Sequence, residues 1–139
     1  MGTSARVIFK SEGQFVFNMR AHYDGYPDGV GMDIARIIAE GQLVDGLGPD
    51  RTLGKYFNGD SCMAASVIAL MKKEPGNIYL YPTSYDFDAN YKYIINVNKN
   101  KTIEFRMTGG RSFEGTLEGF IEEFGTPEDK EKFLQTNNV

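Results

Sequence analysis

The spacing of apolar residues changes period along this chain, and those changes limit the folds open to it. Around Ser11-Glu12-Gly13, residues 5–10 and 14–20 read as two strands, the second placing Phe15, Phe17 and Met19 on one face. Alternation with period two around a short glycine-containing connection predicts a hairpin. The period then lengthens. Val30, Ile34, Ile37 and Ile38 fall at i, i+4, i+7 and i+8, one face of a helix that Gly41 would stop. Residues 62–71 are apolar nearly all round, which predicts a helix buried on most sides. Asp60 or Ser61 would cap it, Lys72 and Lys73 suit its C-terminal end, and Pro75-Gly76 would end it.

Strand patterns return at residues 77–82, 90–97 and 101–107, the last two forming a second hairpin across Asn98-Lys99-Asn100. Leu117, Phe120, Ile121 and Phe124 restore the helical period, and Thr126-Pro127 opens a last short helix. The glycine-rich stretch 41–60 is expected to be irregular. The order is ββααβββα with a possible terminal helix. It predicts an α+β fold of about five strands in an antiparallel sheet with helices on one face. Alternating βαβ units are missing from the pattern, which argues against a dinucleotide-binding architecture.

At 139 residues, 41% hydrophobic and 24% charged, the chain reads as one domain with a sufficient core. Its single cysteine rules out an intrachain disulfide, and its single histidine rules out a site of several imidazoles. The net charge of −4 argues against a nucleic-acid partner, which calls for a basic face. The acidity is concentrated in residues 114–139, where seven acids (Glu114, Glu118, Glu122, Glu123, Glu128, Asp129 and Glu131) face two lysines. The simplest reading of that segment is a solvated helical face. No apolar run approaches the roughly 20 residues that span a bilayer, and no secretory pattern opens the chain. A cytoplasmic protein with no membrane partner is the expectation.

Chemistry-bearing residues concentrate between Arg20 and Asp33: His22, Tyr23, Asp24, Tyr26, Asp28, Gly29 and Gly31 stand at the mouth of the helix that begins near Val30. Backbone N–H groups there attract anions, Gly29 and Gly31 allow close approach, and Tyr23 and Tyr26 offer stacking faces and hydroxyls. The competing reading is structural, with Asp24-Gly25 as a tight turn and the tyrosines packed on the core. Gly109-Gly110-Arg111 after the second hairpin could form an anion-binding nest with a bidentate cation. Tyr79, Tyr81, Tyr85, Phe87 and Tyr91 add stacking surface suited to a single nucleotide-like ring. His22, Asp24 and Asp28 are sparse for zinc, and Cys62 lies in an apolar helix where a thiol is inert packing. No P-loop, G-x-S-x-G or H-E-x-x-H motif occurs. No catalytic set, metal or cofactor is assigned.

The string His22-Tyr-Asp-Gly-Tyr-Pro-Asp-Gly-Val-Gly31 resembles the H-W-D-G-Y-P-x-x-V-G hallmark of a family of small bacteriophage, prophage and bacterial proteins, with Tyr23 in place of the usual Trp. Asp60-Ser-Cys-Met-Ala-Ala and Gly76-Asn-Ile-Tyr-Leu-Tyr-Pro82 look like the same family's G-M-G-C-L-A-A helix and G-G-x-Y-L-Y-P strand. The resemblance covers roughly residues 1–97 and implies a setting, a phage-type accessory protein, rather than a reaction.

Three function classes follow. The leading one is a binding module, with His22, Tyr23, Asp24, Tyr26, Gly29, Gly31, Gly109, Gly110 and Arg111 around a small anionic, nucleotide-like ligand, and with counter-defence against a host nucleotide signal as its biological sense. The second is a small phosphate-ester hydrolase using His22 and Asp24. The third is an inhibitor of a host protein acting through the acidic C-terminal helices. The apolar surplus of 62–71 leaves room for a homo-oligomer.

Overall fold

The structure is a computed structural model and describes residues 2–134; the end of the acidic segment, 135–139, lies outside the described residues. Strands β1 (Ala5–Ser11) and β2 (Gln14–Ala21) form the expected hairpin. A single wide helical turn, Pro27–Gly31, leads into α1 (Met32–Glu40). Next come β3 (Gln42–Val44), β4 (Tyr56–Asn58), α2 (Gly59–Met71), β5 (Ile78–Tyr81), β6 (Tyr91–Val97), β7 (Ile103–Gly109), β8 (Phe113–Thr116), α3 (Leu117–Phe124) and α4 (Pro127–Leu134). The fold is α+β, and its main sheet has six strands in the order β5-β2-β1-β6-β7-β8.

Five strands were expected in that sheet and six are present. Phe113 lies four residues before Leu117 and so fits the helical spacing of α3, which hides β8 from a periodicity reading. Strands β3 and β4 pair in parallel as a separate two-stranded sheet, each too short to show a period. One pair in the main sheet, β1 with β6, is parallel. That pairing is long-range and has no local sequence signal. Between β5 and β6 the chain crosses two intervening strands, and the 82–90 connection makes the crossing.

The register separates the two faces of the sheet. Val7, Phe9, Phe17, Met19, Tyr93, Ile95, Phe105 and Met107 share one face and are buried beneath Ile34 and Ile38 of α1, Met63 and Val67 of α2, and Phe120 and Ile121 of α3. Arg6, Ile8, Lys10, Asn18, Arg20, Lys92, Ile94 and Arg106 share the other face, which carries no helix among the described residues.

The caps differ in part from expectation. Asn58, not Asp60 or Ser61, occupies the N-cap of α2. Asp60 instead accepts from Ser11 Oγ at 2.5 Å and meets Lys101 at 3.4 Å, tying α2 to the hairpin ends. Thr126 opens α4 as expected, with a reciprocal box: its Oγ1 accepts from Asp129 N at 3.1 Å, while Asp129 Oδ2 accepts from Thr126 N at 2.9 Å.

Candidate functional site

The loop after β2 is held by backbone hydrogen bonds from three directions. His22 N donates to Asn77 O and Oδ1, both at 3.0 Å, and Tyr23 N donates to Asn77 Oδ1 at 3.1 Å. Gly25 N donates to Thr3 O at 2.8 Å, and the buried Tyr93 hydroxyl donates to Gly25 O at 2.6 Å. Val30 N closes the loop on Asp24 O at 2.7 Å. Burial pushes the Tyr93 phenol well above its ordinary range, so it remains a donor at neutral pH.

Gly29 and Gly31 of the motif make room for the protein's own atoms. A Cβ at Gly31 would lie 2.8 Å from Phe120 Cζ and 3.0 Å from Tyr93 Cε1; one at Gly29 would lie 2.2 Å from Asp24 O. Their close approach serves packing of the loop on the core.

His22 and Tyr23 keep an edge-on ring contact, 6.2 Å between centroids, and have different further neighbours. The His22 ring lies 4.9 Å from that of Tyr79, which the register puts on the uncovered face beside Arg20. Tyr23 turns to the helix side. There Tyr23, Asp24, Asp33, Arg36, Lys73 and Asn77 line a cleft of about 370 Å³ whose apolar wall includes Ile37, Leu70 and Met71. A volume of this order suits a small ligand. Tyr23 is 54% exposed, so much of this side chain is open to solvent.

The charges of the cleft are unequal in availability. Two Arg36 N–H groups meet both Asp129 carboxylate oxygens at 2.9 and 2.8 Å, and a third contact reaches Asp33 at 3.3 Å. Lys73 has no ion pair among the described residues. Partial burial raises the Asp33 pKa, against the pull of Arg36 and Lys73. Asp24 accepts from the Tyr26 hydroxyl at 2.9 Å, and that bond to a carboxylate raises the Tyr26 pKa. The cleft thus offers a ring face, two carboxylate acceptors and one ammonium donor.

Sequence reasoning named Tyr23 and Asp24 but missed Asp33, Lys73 and Asn77 as their neighbours. Lys73 read as a helix-end cation, and only the return of the chain into β5 brings Asn77 beneath the loop. Tyr26 stands over Asp24 at the rim. The Gly109-Gly110-Arg111 segment is at the same end of the sheet but elsewhere: β7 is three strands from β2, about 14 Å at normal strand spacing. Gly109 takes φ +144° and its absent Cβ would lie 2.4 Å from Asn90 O, while one at Gly110 would lie 3.0 Å from Tyr91 Oη. The Arg111 guanidinium stacks 4.7 Å over Phe124 and meets Glu123 at 3.7 Å.

Among the described residues no three His, Cys, Asp or Glu side chains gather closely enough to hold a metal ion, and no helix is long and apolar enough to cross a membrane. No family model, curated protein or solved structure matches the chain.

Proposed function

We propose that this chain is a binding protein that holds a small anionic, nucleotide-like ligand in the cleft between the 22–31 loop, α1 and α2. The observation that supports this reading is the meeting of Tyr23, Asp24, Asp33 and Lys73 around about 370 Å³ of space. A planar base stacks on Tyr23, sugar hydroxyls donate to Asp24 and Asp33, and one anionic oxygen accepts from Lys73. A single ammonium matches a singly charged phosphate diester better than a polyphosphate, whose extra charge would face the two aspartates. Binding without turnover is favoured over hydrolysis because His22 and Asp24, the pair that hydrolysis would need, share no hydrogen bond: the His22 ring lies against Tyr79, and Asp24 takes the Tyr26 hydroxyl. In the phage-type setting that the motif resemblance implies, the protein sequesters a host nucleotide signal in the cytoplasm.

A thermal-melt panel of nucleotides and cyclic oligonucleotides tests this, each ligand being recovered for chromatography. A ligand at 100 times its dissociation constant adds about 2.7 kcal/mol, which is about 9 °C for 139 residues. A shift that Tyr23→Ala and Lys73→Ala abolish, with the ligand recovered intact, supports sequestration. A ligand recovered converted, or no shift across the panel, refutes it.

A further inference from the structure

The uncovered face of the sheet carries a charge arrangement that the cleft does not use. Arg20 is the cross-strand partner of Arg6, and Arg6 is the cross-strand partner of Lys92. Three cations therefore stand in one row across β2, β1 and β6, about 5 Å apart from strand to strand. Like charges placed directly opposite each other destabilise a sheet, so such a row calls for an anion.

The protein supplies only part of one. The buried Arg6, 5% exposed, donates through Nε to Asn18 Oδ1 at 3.0 Å and through Nη2 to Tyr85 O at 3.1 Å, and its Nη1 pairs with Asp86. Asp86 comes from the 82–90 crossing, and its side chain is 89% exposed. Neither Arg20 nor Lys92 has a carboxylate partner among the described residues. Arg20 Nε is buried without any hydrogen-bond acceptor. Leaving a buried charged donor unpaired is costly, and here the one carboxylate of the row, which solvent can reach, is taken by Arg6 alone. The Phe87 ring lies over both guanidinium groups, 5.1 Å from Arg6 Cζ and 5.5 Å from Arg20 Cζ, so the crossing is a cover laid on the row. Two residues further along the strands, at Ile94 and Arg106, opens a concavity of about 410 Å³ with room for the rest of a ligand.

We propose that Arg20, Arg6 and Lys92 form a second site, for the phosphoryl groups of a polyphosphate or diphosphate ligand, and that Asp86 is the internal anion such a ligand displaces. Two guanidinium forks and an ammonium in a line match the oxygens of a diphosphate. The site lies on the opposite face of the sheet from the Tyr23 cleft and does not depend on it.

The test is calorimetric titration of the full chain with inorganic pyrophosphate at ionic strength held constant by sodium chloride. Asp86→Asn removes the internal competitor and is expected to tighten binding at least tenfold. Asp88→Asn makes the same charge change two residues on and is expected to alter affinity less than threefold. In the Asp86→Asn background, Lys92→Gln at an exposed position and Arg20→Gln are each expected to weaken binding at least tenfold. Lys73→Ala, in the other cleft, is expected to leave it unchanged. The Arg20 Nε–H resonance, followed by NMR, should shift on titration. Equal affinities for the original chain, Asp86→Asn and Asp88→Asn, or an unchanged affinity in Lys92→Gln, would overturn the proposal.

Discussion

Replacing Tyr93 by Phe deletes one oxygen from the interior and isolates what holds the 22–31 loop. Tyr93 is fully buried, and its hydroxyl is 2.6 Å from Gly25 O. The ring contacts with Phe120 and Tyr91 survive the change. A neutral hydrogen bond contributes about 1 kcal/mol net, and a buried carbonyl left without its donor costs up to about 3, so the expected loss is about 2 kcal/mol. Unfolding entropy for 139 residues is roughly 0.3 kcal/mol per kelvin, so the melting temperature should fall about 7 °C. Because burial raises the phenol's pKa, the folded donor stays protonated wherever the unfolded one does. Its contribution is complete below about pH 10 and fades only as pH rises beyond that. The difference between the two proteins, measured by thermal and urea unfolding, should therefore be flat from pH 6 to pH 9. A fall of less than about 2 °C, or a difference that varies across that range, would refute the idea that this bond is one of those that hold the loop.

Asp129→Asn should cost about 2 kcal/mol at pH 7, since Arg36 N–H groups hold the carboxyl down at about 2. A depressed carboxyl stabilises above its unfolded pKa near 4, so the difference from the original protein should shrink as pH falls from 4 toward 2 in urea titrations. Gly31→Ala should destabilise by about 1–3 kcal/mol, because its methyl meets Phe120 and Tyr93; an unchanged urea midpoint would assign Gly31 to the ligand rather than to packing. Arg111→Ala should cost under about 1 kcal/mol and leave nucleotide affinity intact, because its exposed guanidinium is engaged with Glu123 and Phe124; calorimetry reads both parts.

Where a segment's local pattern and its tertiary role agree, the sequence announces the element. Phe15, Phe17 and Met19 alternate, and Phe17 and Met19 are buried on one face of β2. Leu117, Phe120, Ile121 and Phe124 keep the helical spacing and are all buried in α3. Strand β8 is illegible because Phe113 belongs equally to the helical series that follows it. The parallel pairing of β1 with β6 depends on a crossing that no neighbouring residues encode.

The candidate site was legible to the same degree. The motif 22–31 contains Tyr23 and Asp24 of the cleft, but does not tell that Tyr23 lines it while the His22 ring packs against Tyr79. Glycines at a helix mouth read equally well as ligand contacts or as packing, and only the positions of Phe120, Tyr93 and Asp24 decide between them. Lys73 and Asn77 enter through the geometry of the α2–β5 turn. The row Arg20–Arg6–Lys92 emerges only once the register of three strands is known, because its members are far apart in the chain.

The most direct test of the binding account is an NMR titration of the uniformly labelled chain with a series of nucleoside monophosphates and cyclic nucleotides. The account expects at least one of them to shift the amides of Tyr23, Asp24, Asp33, Lys73 and Asn77 together, saturably, and to lose that effect in Tyr23→Ala. Shifts confined to Glu118, Glu122 and Glu123, or none at the cleft for any nucleotide in the series, would contradict it.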